Sequence, residues 1–188
     1  AAAARDILVT CSYPEPRWTP GRNTLARNLL SAIPRVLFDK VAFIEDDDWY
    51  APTFVDTLVS RLHGSVEIVG DSISYYYHLG TRQYRLMRNG SASASLCQTA
   101  ISSVALPVLQ HVCGEGTSFI DGRLWSRMRG RHLESLGGCV GIKGLPGREG
   151  IGVGHRPHVR ASAWSSDKDL SVLRGWIGED LDVYKEFV

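Results

Sequence analysis

The chain has 188 residues, of which 44% are hydrophobic and 22% are charged, a composition typical of one soluble globular domain and unlike that of disordered or fibrous proteins. It carries 21 Lys and Arg residues against 20 Asp and Glu residues, so its overall charge neither favours nor excludes a polyanionic partner. No stretch approaches the roughly 18 apolar residues that span a bilayer, and we therefore expect a cytoplasmic single domain, residues 1–188, without membrane contact.

The amino-terminal part alternates predicted strands and helices. DILVT at residues 6–10 predicts a buried strand, and residues 23–33 place their leucines on one face of a helix. KVAFI at residues 40–44 predicts a second strand, and residues 53–62 a second helix with Thr53 as its N-cap. This order predicts an α/β fold with a mixed, mainly parallel sheet flanked by helices, in which ligands bind beyond the carboxyl ends of the strands.

The middle of the chain is less regular. Residues 66–79 contain two β-rich runs parted by a Gly-Asp pair, and residues 82–90 predict another strand before a glycine turn. Apolar spacing predicts helices over residues 99–112 and 121–136. The glycine-rich tail that follows, GCVGIKGLPGREGIGVGHRP, is interrupted too often for a regular element and is typical of a loop that covers a ligand.

Four cysteines are scattered along the chain: Cys11, Cys97, Cys113 and Cys139. They lack the C-x-x-C spacing of zinc and redox sites. We therefore expect reduced thiols with a structural role.

Four consecutive acids, Glu45 to Asp48, follow the second predicted strand. Like charges held within a few ångströms repel and raise one another's pKa, so a positive group should lie among them. Mg²⁺ and Mn²⁺ take carboxylate oxygens and complete their coordination with water and substrate phosphates. The run therefore predicts a site for one of these cations, and a solvated acidic turn is the alternative.

The glycine-rich tail also has the features of an anion-binding lid. Successive backbone N–H groups in such loops form anion-binding nests. Lys143, Arg148 and Arg156 flank the tail and are candidates to neutralise the phosphates of a bound ligand. Together with a metal motif, the tail indicates a loop that orders over such a ligand.

The segments GRNTLARNLLSAI and VAFIEDDDWYAPTFVDTLV resemble the core of GT-A glycosyltransferases, especially the large family 2. The resemblance implies a compact, Rossmann-like GT-A domain that transfers a sugar from a nucleotide diphosphate, with a UDP-sugar as the expected donor. Aligned on Pro52, it gives Glu45 the acidic position that faces the nucleotide ribose and Asp47 the metal-binding position. Asp46 and Asp48 are neighbours that share this task, Asp48 as a further metal ligand.

The same resemblance implies a nucleotide site at the end of the first strand. Thr10 and Tyr13 take the place where family members hold the nucleobase, with Tyr13 stacking on uracil, and Arg17, Arg22 or Arg27 meeting phosphates. Only about forty residues precede the acids, whereas the usual arrangement includes a further strand with its own nucleotide-binding Asp. The chain therefore resembles an abbreviated GT-A core.

A metal-binding histidine and a catalytic base also follow from the resemblance. A late histidine often completes the metal's ligands in GT-A enzymes, which indicates His155, with His158 as the second candidate. SFIDGRLWSRM is similar to the stretch in which inverting members place a catalytic carboxylate, and Asp121 is then the base that takes the acceptor's proton. Capping of its own helix is the alternative role for Asp121.

Arginines and aromatic residues are interleaved in two segments. The arginines are Arg82, Arg85, Arg88, Arg123, Arg127, Arg129 and Arg131, and the aromatic residues are Tyr75, Tyr76, Tyr77, Tyr84 and Trp125. Such a pattern suits a nucleic acid, which offers phosphates and bases for stacking; a solvated face of mixed charge is the alternative. The compact core and tail also resemble small phage-type glycosyltransferases that decorate hydroxymethylated pyrimidines in DNA, which implies a DNA acceptor in the host cytoplasm.

Two other functions are consistent with these residues. A nucleotidyltransferase or phosphohydrolase would use the same carboxylate-bound cation. A nucleic-acid-binding module without enzymatic activity would need the arginines and not the acids. The released product, nucleoside diphosphate as against pyrophosphate or phosphate, separates glycosyl transfer from the first alternative.

Overall fold

The computed structural model describes residues 11, 14, 24–88, 92–147 and 163–187. This part of the chain has a mixed α/β architecture with two mixed sheets. The predicted first strand, residues 6–10, lies outside the described residues. Within the described ranges, no helix combines the length and the apolar composition that a membrane crossing requires.

The helices and strands have the following bounds. The strands are β1 (Lys40–Ala42), β2 (Trp49–Tyr50), β3 (Ile68–Asp71), β4 (Ile73–His78), β5 (Gln83–Arg88), β6 (Thr99–Ser102), β7 (Arg131–Glu134), β8 (Cys139–Lys143) and β9 (Ser165–Ser166). The α-helices are α1 (Leu25–Ala32), α2 (Phe54–Ser60), α3 (Leu106–Gly114), α4 (Ile120–Arg127), α5 (Ser171–Ile177) and α6 (Leu181–Tyr184). Short 3₁₀ turns lie at Ile33–Arg35, Leu79–Thr81, Leu96–Gln98, Ser103–Ala105, Gly178–Asp180 and Lys185–Phe187.

The strands divide into two sheets, with the orders β1-β6-β3-β7 and β2-β8-β4-β5-β9. Each sheet has one parallel pair, β3 with β7 and β4 with β8, and its other pairs are antiparallel. The α/β prediction is confirmed, but the expectation of one mainly parallel sheet is wrong. Strand-helix alternation holds only for the first part of the chain. Later strands such as β4 and β5 are joined by short turns, which favour antiparallel pairing.

The predicted amino-terminal helices are present. α1 and α2 occupy the segments with helical apolar spacing, and β1 lies between them. Thr53 occupies the N-cap position of α2, but its side chain makes no capping hydrogen bond. The two β-rich runs after residue 66 form β3 and β4, which are separated at Ser72 rather than at the Gly-Asp pair.

Both helices predicted for the second half are shorter than expected. Residues 99–112 begin as strand β6, and α3 starts only at Leu106, with Pro107 in its first turn, where a missing N–H is tolerated. Residues 121–136 contain α4, which ends at Arg127, and then β7. The change of direction is fixed by Glu67, whose carboxylate accepts the N–H groups of Arg129 and Gly130.

The first part of the glycine-rich tail is a buried strand, and its expectation as a loop is wrong. All five residues of β8 are buried. A Cβ at Gly138 would lie 2.6 Å from the Phe54 ring, and one at Gly141 2.8 Å from the Tyr76 ring. These glycines admit neighbouring aromatic rings, which explains why a glycine-rich sequence forms a packed strand.

Three hydrophobic clusters hold these elements together. The first packs α1, α3 and α4 on the first sheet around Ile68, Ile101 and Trp125. The second packs α5 and α6 on the second sheet around Tyr77. The third surrounds α2 and contains both Val69 of the first sheet and Cys139 of the second, so it joins the two sheets.

Candidate functional site

The four acids form the turn that carries the chain from β1 of the first sheet to β2 of the second. Glu45 and Asp46 are exposed, Asp47 is partly buried, and the side chain of Asp48 is fully buried. The backbone N–H of Asp48 donates to the Glu45 carbonyl (3.4 Å), and the N–H of Glu45 donates to the Tyr50 hydroxyl oxygen (2.9 Å). The turn thus aims one carboxylate into the protein and leaves others at its surface.

Lys143 supplies the positive group that the acid run requires. Its Nζ lies 2.8 Å from Asp48 Oδ1, 3.4 Å from Glu45 Oε2 and 4.0 Å from Asp47 Oδ2. The residue ends β8, which pairs with β2 immediately after the turn. Lys143 is only 5% exposed, and its ammonium group is the counter-ion of the acids; its expected contact with the phosphates of a ligand stays a prediction.

The charges in this group are unbalanced. Burial raises the pKa of Asp48 to about 7, Lys143 opposes this shift, and Glu45 adds to it. Burial lowers the pKa of Lys143, but the three acids outweigh burial and raise it above its ordinary value. Three carboxylates against one ammonium group leave a net charge of −2 when all are ionised.

The arrangement fits a hard divalent cation. Ligand oxygens of Glu45, Asp47 and Asp48 lie within 4.8 Å of one another. Asp48 Oδ1 accepts the backbone N–H of Ile142 (3.0 Å) and the ammonium of Lys143, whereas the buried Oδ2 has no hydrogen-bond partner in the described structure. A cation of charge +2 would offset the excess charge and accept oxygen ligands. Asp46 is outside this group.

Two cysteines lie on the inner side of the same turn. Cys97, in the turn before β6, and Cys139, at the start of β8, each offer a sulfur within 4.8 Å of the other and of an Asp48 oxygen. A hydrogen bond with Cys139 and burial raise the pKa of Cys97 well above its ordinary value. Sequence reasoning missed this group because its members are far apart in the chain and β8 was not predicted.

The carboxyl-terminal helices also border the acid turn. Trp49 Nε1 donates to Asp180 Oδ2 over 2.8 Å. Burial raises the pKa of Tyr184, and the charges of Asp48, Asp180 and Asp47 add to the shift. Trp49 follows the acids directly in the sequence, but nothing in the sequence indicated that the carboxyl-terminal helices would lie beside it.

An apolar pocket of about 280 Å³ lies between α1, β1 and α3. Aliphatic side chains form most of its lining, and Glu45 and Cys97 are also part of it. The pocket therefore reaches both Glu45, the exposed acid of the turn, and Cys97.

Asp121 lies in the first turn of α4 and is partly buried. Its Oδ1 accepts the N–H of Gly122 (2.8 Å), and Phe119, not Asp121, occupies the N-cap position. The residue is outside the group of acids at the turn. Asp121 thus supports the start of its helix without being the N-cap. This hydrogen bond engages Oδ1 and not Oδ2.

The expected nucleotide-binding residues are only partly described. Arg27 lies on α1; its Nη2 donates weakly to Asn28 (3.4 Å), while its buried Nε and Nη1 have no hydrogen-bond partner in the described structure. The other predictions fall outside the described residues: Thr10, Tyr13, Arg17, Arg22, Arg148, His155, His158 and Arg156.

The arginines do not form one continuous surface. Arg85 and Arg88 are three residues apart in β5, and because strand side chains alternate with a period of two, they lie on opposite faces. Arg82 precedes the strand with a positive φ and donates to the carbonyl of Lys168. The second group is spread over three elements: Arg123 and Arg127 on α4, Arg129 in the following loop and Arg131 on β7. Arg127 forms an ion pair with Glu115.

The aromatic residues of these segments do not form a stacking surface either. The rings of Tyr75, Tyr77 and Tyr84 all pack edge-on against Trp176 of α5. Trp125 is fully buried, and its Nε1 donates to Thr99 Oγ1. Tyr75, Tyr77 and Tyr84 belong to the core between the second sheet and the carboxyl-terminal helices, and Trp125 belongs to the first cluster. The interpretation of these four rings as a platform for bases is therefore wrong.

Comparisons of the chain with known protein families and with curated protein sequences gave no match. A functional assignment therefore depends on the chemistry of the acid turn and on the residues that surround it.

Proposed function

We propose that the protein is a divalent-metal-dependent glycosyltransferase of GT-A architecture, which moves a sugar from a nucleotide diphosphate, a UDP-sugar, to an acceptor hydroxyl. The observation that carries this proposal is the convergence of Glu45, Asp47 and Asp48 within 4.8 Å. When all three are ionised, their charge exceeds that of Lys143 by two, a balance that suits one Mg²⁺ or Mn²⁺. The resemblance of the acid run and its flanking segments to family 2 supports the same function.

Each residue of the turn has a distinct task in this proposal. Asp47 and Asp48 hold the cation, together with His155 from the glycine-rich tail. Glu45, the exposed acid of the group, faces the ribose. Lys143 fixes the Asp48 carboxylate through its 2.8 Å contact and limits the repulsion among the acids. A Mg²⁺ or Mn²⁺ held there would supply positive charge for the leaving diphosphate.

The transfer itself is a single displacement. The acceptor oxygen attacks the anomeric carbon, the bond from that carbon to the diphosphate oxygen breaks, and the diphosphate leaves with the electron pair. The proton of the acceptor hydroxyl passes to the carboxylate of Asp121, which must be ionised and within about 3 Å of that hydroxyl. Attack opposite the leaving group inverts the anomeric centre.

The donor nucleotide is proposed to bind on the amino-terminal side of the acid turn. Arg27 supports this placement, because its buried Nε and Nη1 have no partner in the described structure and a guanidinium binds phosphate oxygens well. The remaining contacts proposed for the donor are Thr10, Tyr13, Arg17, Arg22, Asp46, Arg148 and Arg156.

The acceptor that we propose is a hydroxymethylated pyrimidine in DNA. Its support is the resemblance to phage-type enzymes and the exposure of Arg88, Arg123, Arg129 and Arg131. These side chains would contact phosphates from separate elements rather than as one stripe. The net charge of the protein is near zero and contributes little to DNA binding. Any strong salt dependence of DNA binding should therefore come from these local arginine–phosphate contacts.

Product analysis tests the function directly. We expect the protein with Mn²⁺, a UDP-sugar and DNA containing hydroxymethylated pyrimidines to release UDP and to add one sugar mass to the base. Asp47→Asn should abolish release because it removes a metal ligand, whereas Asp56→Asn, an exposed acid of α2, should behave as wild type.

Other products would identify the other functions. Pyrophosphate or free phosphate in place of UDP would indicate a nucleotidyltransferase or phosphohydrolase. DNA binding that persists in chelator and in Asp47→Asn, without any turnover, would indicate a binding module. Normal turnover by Asp47→Asn would contradict the assignment of the metal site.

A further inference from the structure

We propose that Asp48, Cys97 and Cys139 form a binding site for a thiophilic divalent cation such as Zn²⁺. This site does not depend on the proposed transferase activity. Both of its cysteines are buried, whereas the site proposed for Mg²⁺ or Mn²⁺ includes the exposed Glu45, and the two sites share Asp48.

The three ligand groups are already close to the separation that zinc requires. Their ligand atoms lie within 4.8 Å of one another. Around a tetrahedral Zn²⁺, with Zn–S near 2.3 Å and Zn–O near 2.0 Å, two sulfurs and one oxygen are about 3.5–3.8 Å apart. An approach of roughly 1 Å between these atoms would therefore complete the geometry.

An orphaned oxygen is the second observation. Cys139 is 1% exposed, Cys97 is 8% exposed, and the side chain of Asp48 is fully buried. Ile142 and Lys143 occupy Asp48 Oδ1, but Oδ2 has no hydrogen-bond partner in the part of the chain that the structure describes. A buried carboxylate oxygen is unfavourable without a partner, and a cation held by the two sulfurs would supply one.

The chemical type of the three ligands determines which cation this site would bind. Thiolate ligands favour Zn²⁺ over Mg²⁺ and Mn²⁺, which prefer oxygen. Cys97 lines the apolar pocket that also reaches the exposed Glu45, so an ion and a water ligand have a route from the surface to Cys97.

Two consequences follow from where the ligands lie. Cys97 lies in the short turn before β6 of the first sheet and Cys139 begins β8 of the second, so a bound ion would link the sheets and stabilise the folded state. Because Asp48 serves both sites, Zn²⁺ would also compete with binding of Mn²⁺.

Cobalt substitution provides the decisive test, because Co²⁺ bound to thiolates gives sulfur-to-metal charge-transfer absorption in the near ultraviolet. Titration of the reduced protein with Co²⁺ should produce this band, and excess Zn²⁺ should remove it. The band should be lost in Cys97→Ala and in Cys139→Ala, and retained in Cys11→Ala and in Cys113→Ala, whose cysteine packs in the first cluster. Absence of the band, or a band that survives both of the first substitutions, would overturn the proposal.

A second measurement uses the unmodified chain, in case the alanine variants do not fold. Zn²⁺, but not Mg²⁺, should slow alkylation of Cys97 and Cys139, measured peptide by peptide by mass spectrometry, and should raise the melting temperature. Alkylation rates that Zn²⁺ does not change would identify the pair as ordinary core thiols and refute the site. Failure of Mn²⁺ and UDP to bind would leave this result intact, so the two proposals are tested separately.

Discussion

The carboxylate of Asp48 receives a backbone N–H from Ile142 and the ammonium of Lys143 on one oxygen, while the other oxygen is buried and without a partner in the described structure. Burial disfavours the ionised form, and the lysine compensates only in part, which is why the pKa of Asp48 is raised to about 7. This residue therefore has more to gain from a nearby cation than the exposed acids of the turn.

The raised pKa of Asp48 predicts a dependence of stability on pH in metal-free protein. Its pKa is about 7 in the folded protein against an ordinary value of 3.8, so between these values the folded state binds more protons than the unfolded chain. The stabilising contribution is fully present below about pH 4 and is lost as the pH rises through about 7. Relative to Asp48→Asn, wild type should lose roughly 1–3 kcal/mol of unfolding free energy between about pH 5 and about pH 8. Urea unfolding in chelator measures this, and a difference that does not change with pH would refute it.

Asp121 gives a prediction that separates catalysis from folding. Its Oδ1 accepts the N–H of Gly122, a bond that an asparagine side chain retains, so Asp121→Asn should fold and bind the donor normally. Sugar transfer should fall by at least about 100-fold because the base is lost. Donor-induced thermal shift and the rate of UDP release measure the two effects. Equal transfer rates in variant and wild type would leave Asp121 with its helix-supporting role alone.

At the scale of single residues, the sequence predicted that the four acids need a positive partner, but it did not identify that partner. The run of four acids indicated charge repulsion and a compensating positive group. The sequence could not identify Lys143 as that group, because Lys143 is far from the acids in the chain. It also lies on β8, a strand whose glycine-rich sequence predicted a loop. The proximity of Cys97 and Cys139 to Asp48 was not predicted either, because the three residues are far apart in the chain.

Among the elements, β3 shows how a glycine can be required by packing. Gly70 lies in the middle of the first sheet, where a Cβ would come within 2.5 Å of Ala94 Cβ and 2.6 Å of Trp125 Cζ2. The sequence suggested that Gly70 separates two strands. Gly70 instead lies inside β3, where the buried Trp125 packs against it.

Substitution of Gly70 by alanine should therefore destabilise the protein. The added methyl group has no space, and overpacking of this kind typically lowers the free energy of unfolding by about 1–3 kcal/mol. Gly175→Ala is the matched control, because the site lies in α5 with nothing within 4 Å of the added Cβ, and should be neutral or stabilising by up to about 1 kcal/mol. Chemical unfolding of both variants measures the contrast; equal stabilities would show that the first sheet adjusts freely around Gly70.

Helical periodicity identified α1 and α2 because each has one apolar face and polar residues opposite. It failed over residues 99–112, where Thr99, Ala100 and Ile101 are all buried. A strand buried on both faces has no alternation to distinguish it from a helix, so only its pairing with β1 and β3 defines it.

For the whole molecule, the acid turn crosses from one sheet to the other, and β1, β2 and β8 together position its side chains. Local sequence patterns identified an α/β fold, but the division of strands between two sheets depends on contacts between residues far apart in the chain. The sequence could therefore predict the site as an acidic motif. It could not predict that strands of two different sheets build the site.

Binding of Mn²⁺ in the presence of UDP tests the central claim most directly. Free Mn²⁺ gives a sharp electron paramagnetic resonance signal that is lost on binding to protein. With UDP present, wild type should bind about one Mn²⁺ per chain at the acid turn, and Asp47→Asn should leave the free signal almost unchanged. A free Mn²⁺ signal that is the same with wild type and with Asp47→Asn would contradict the account.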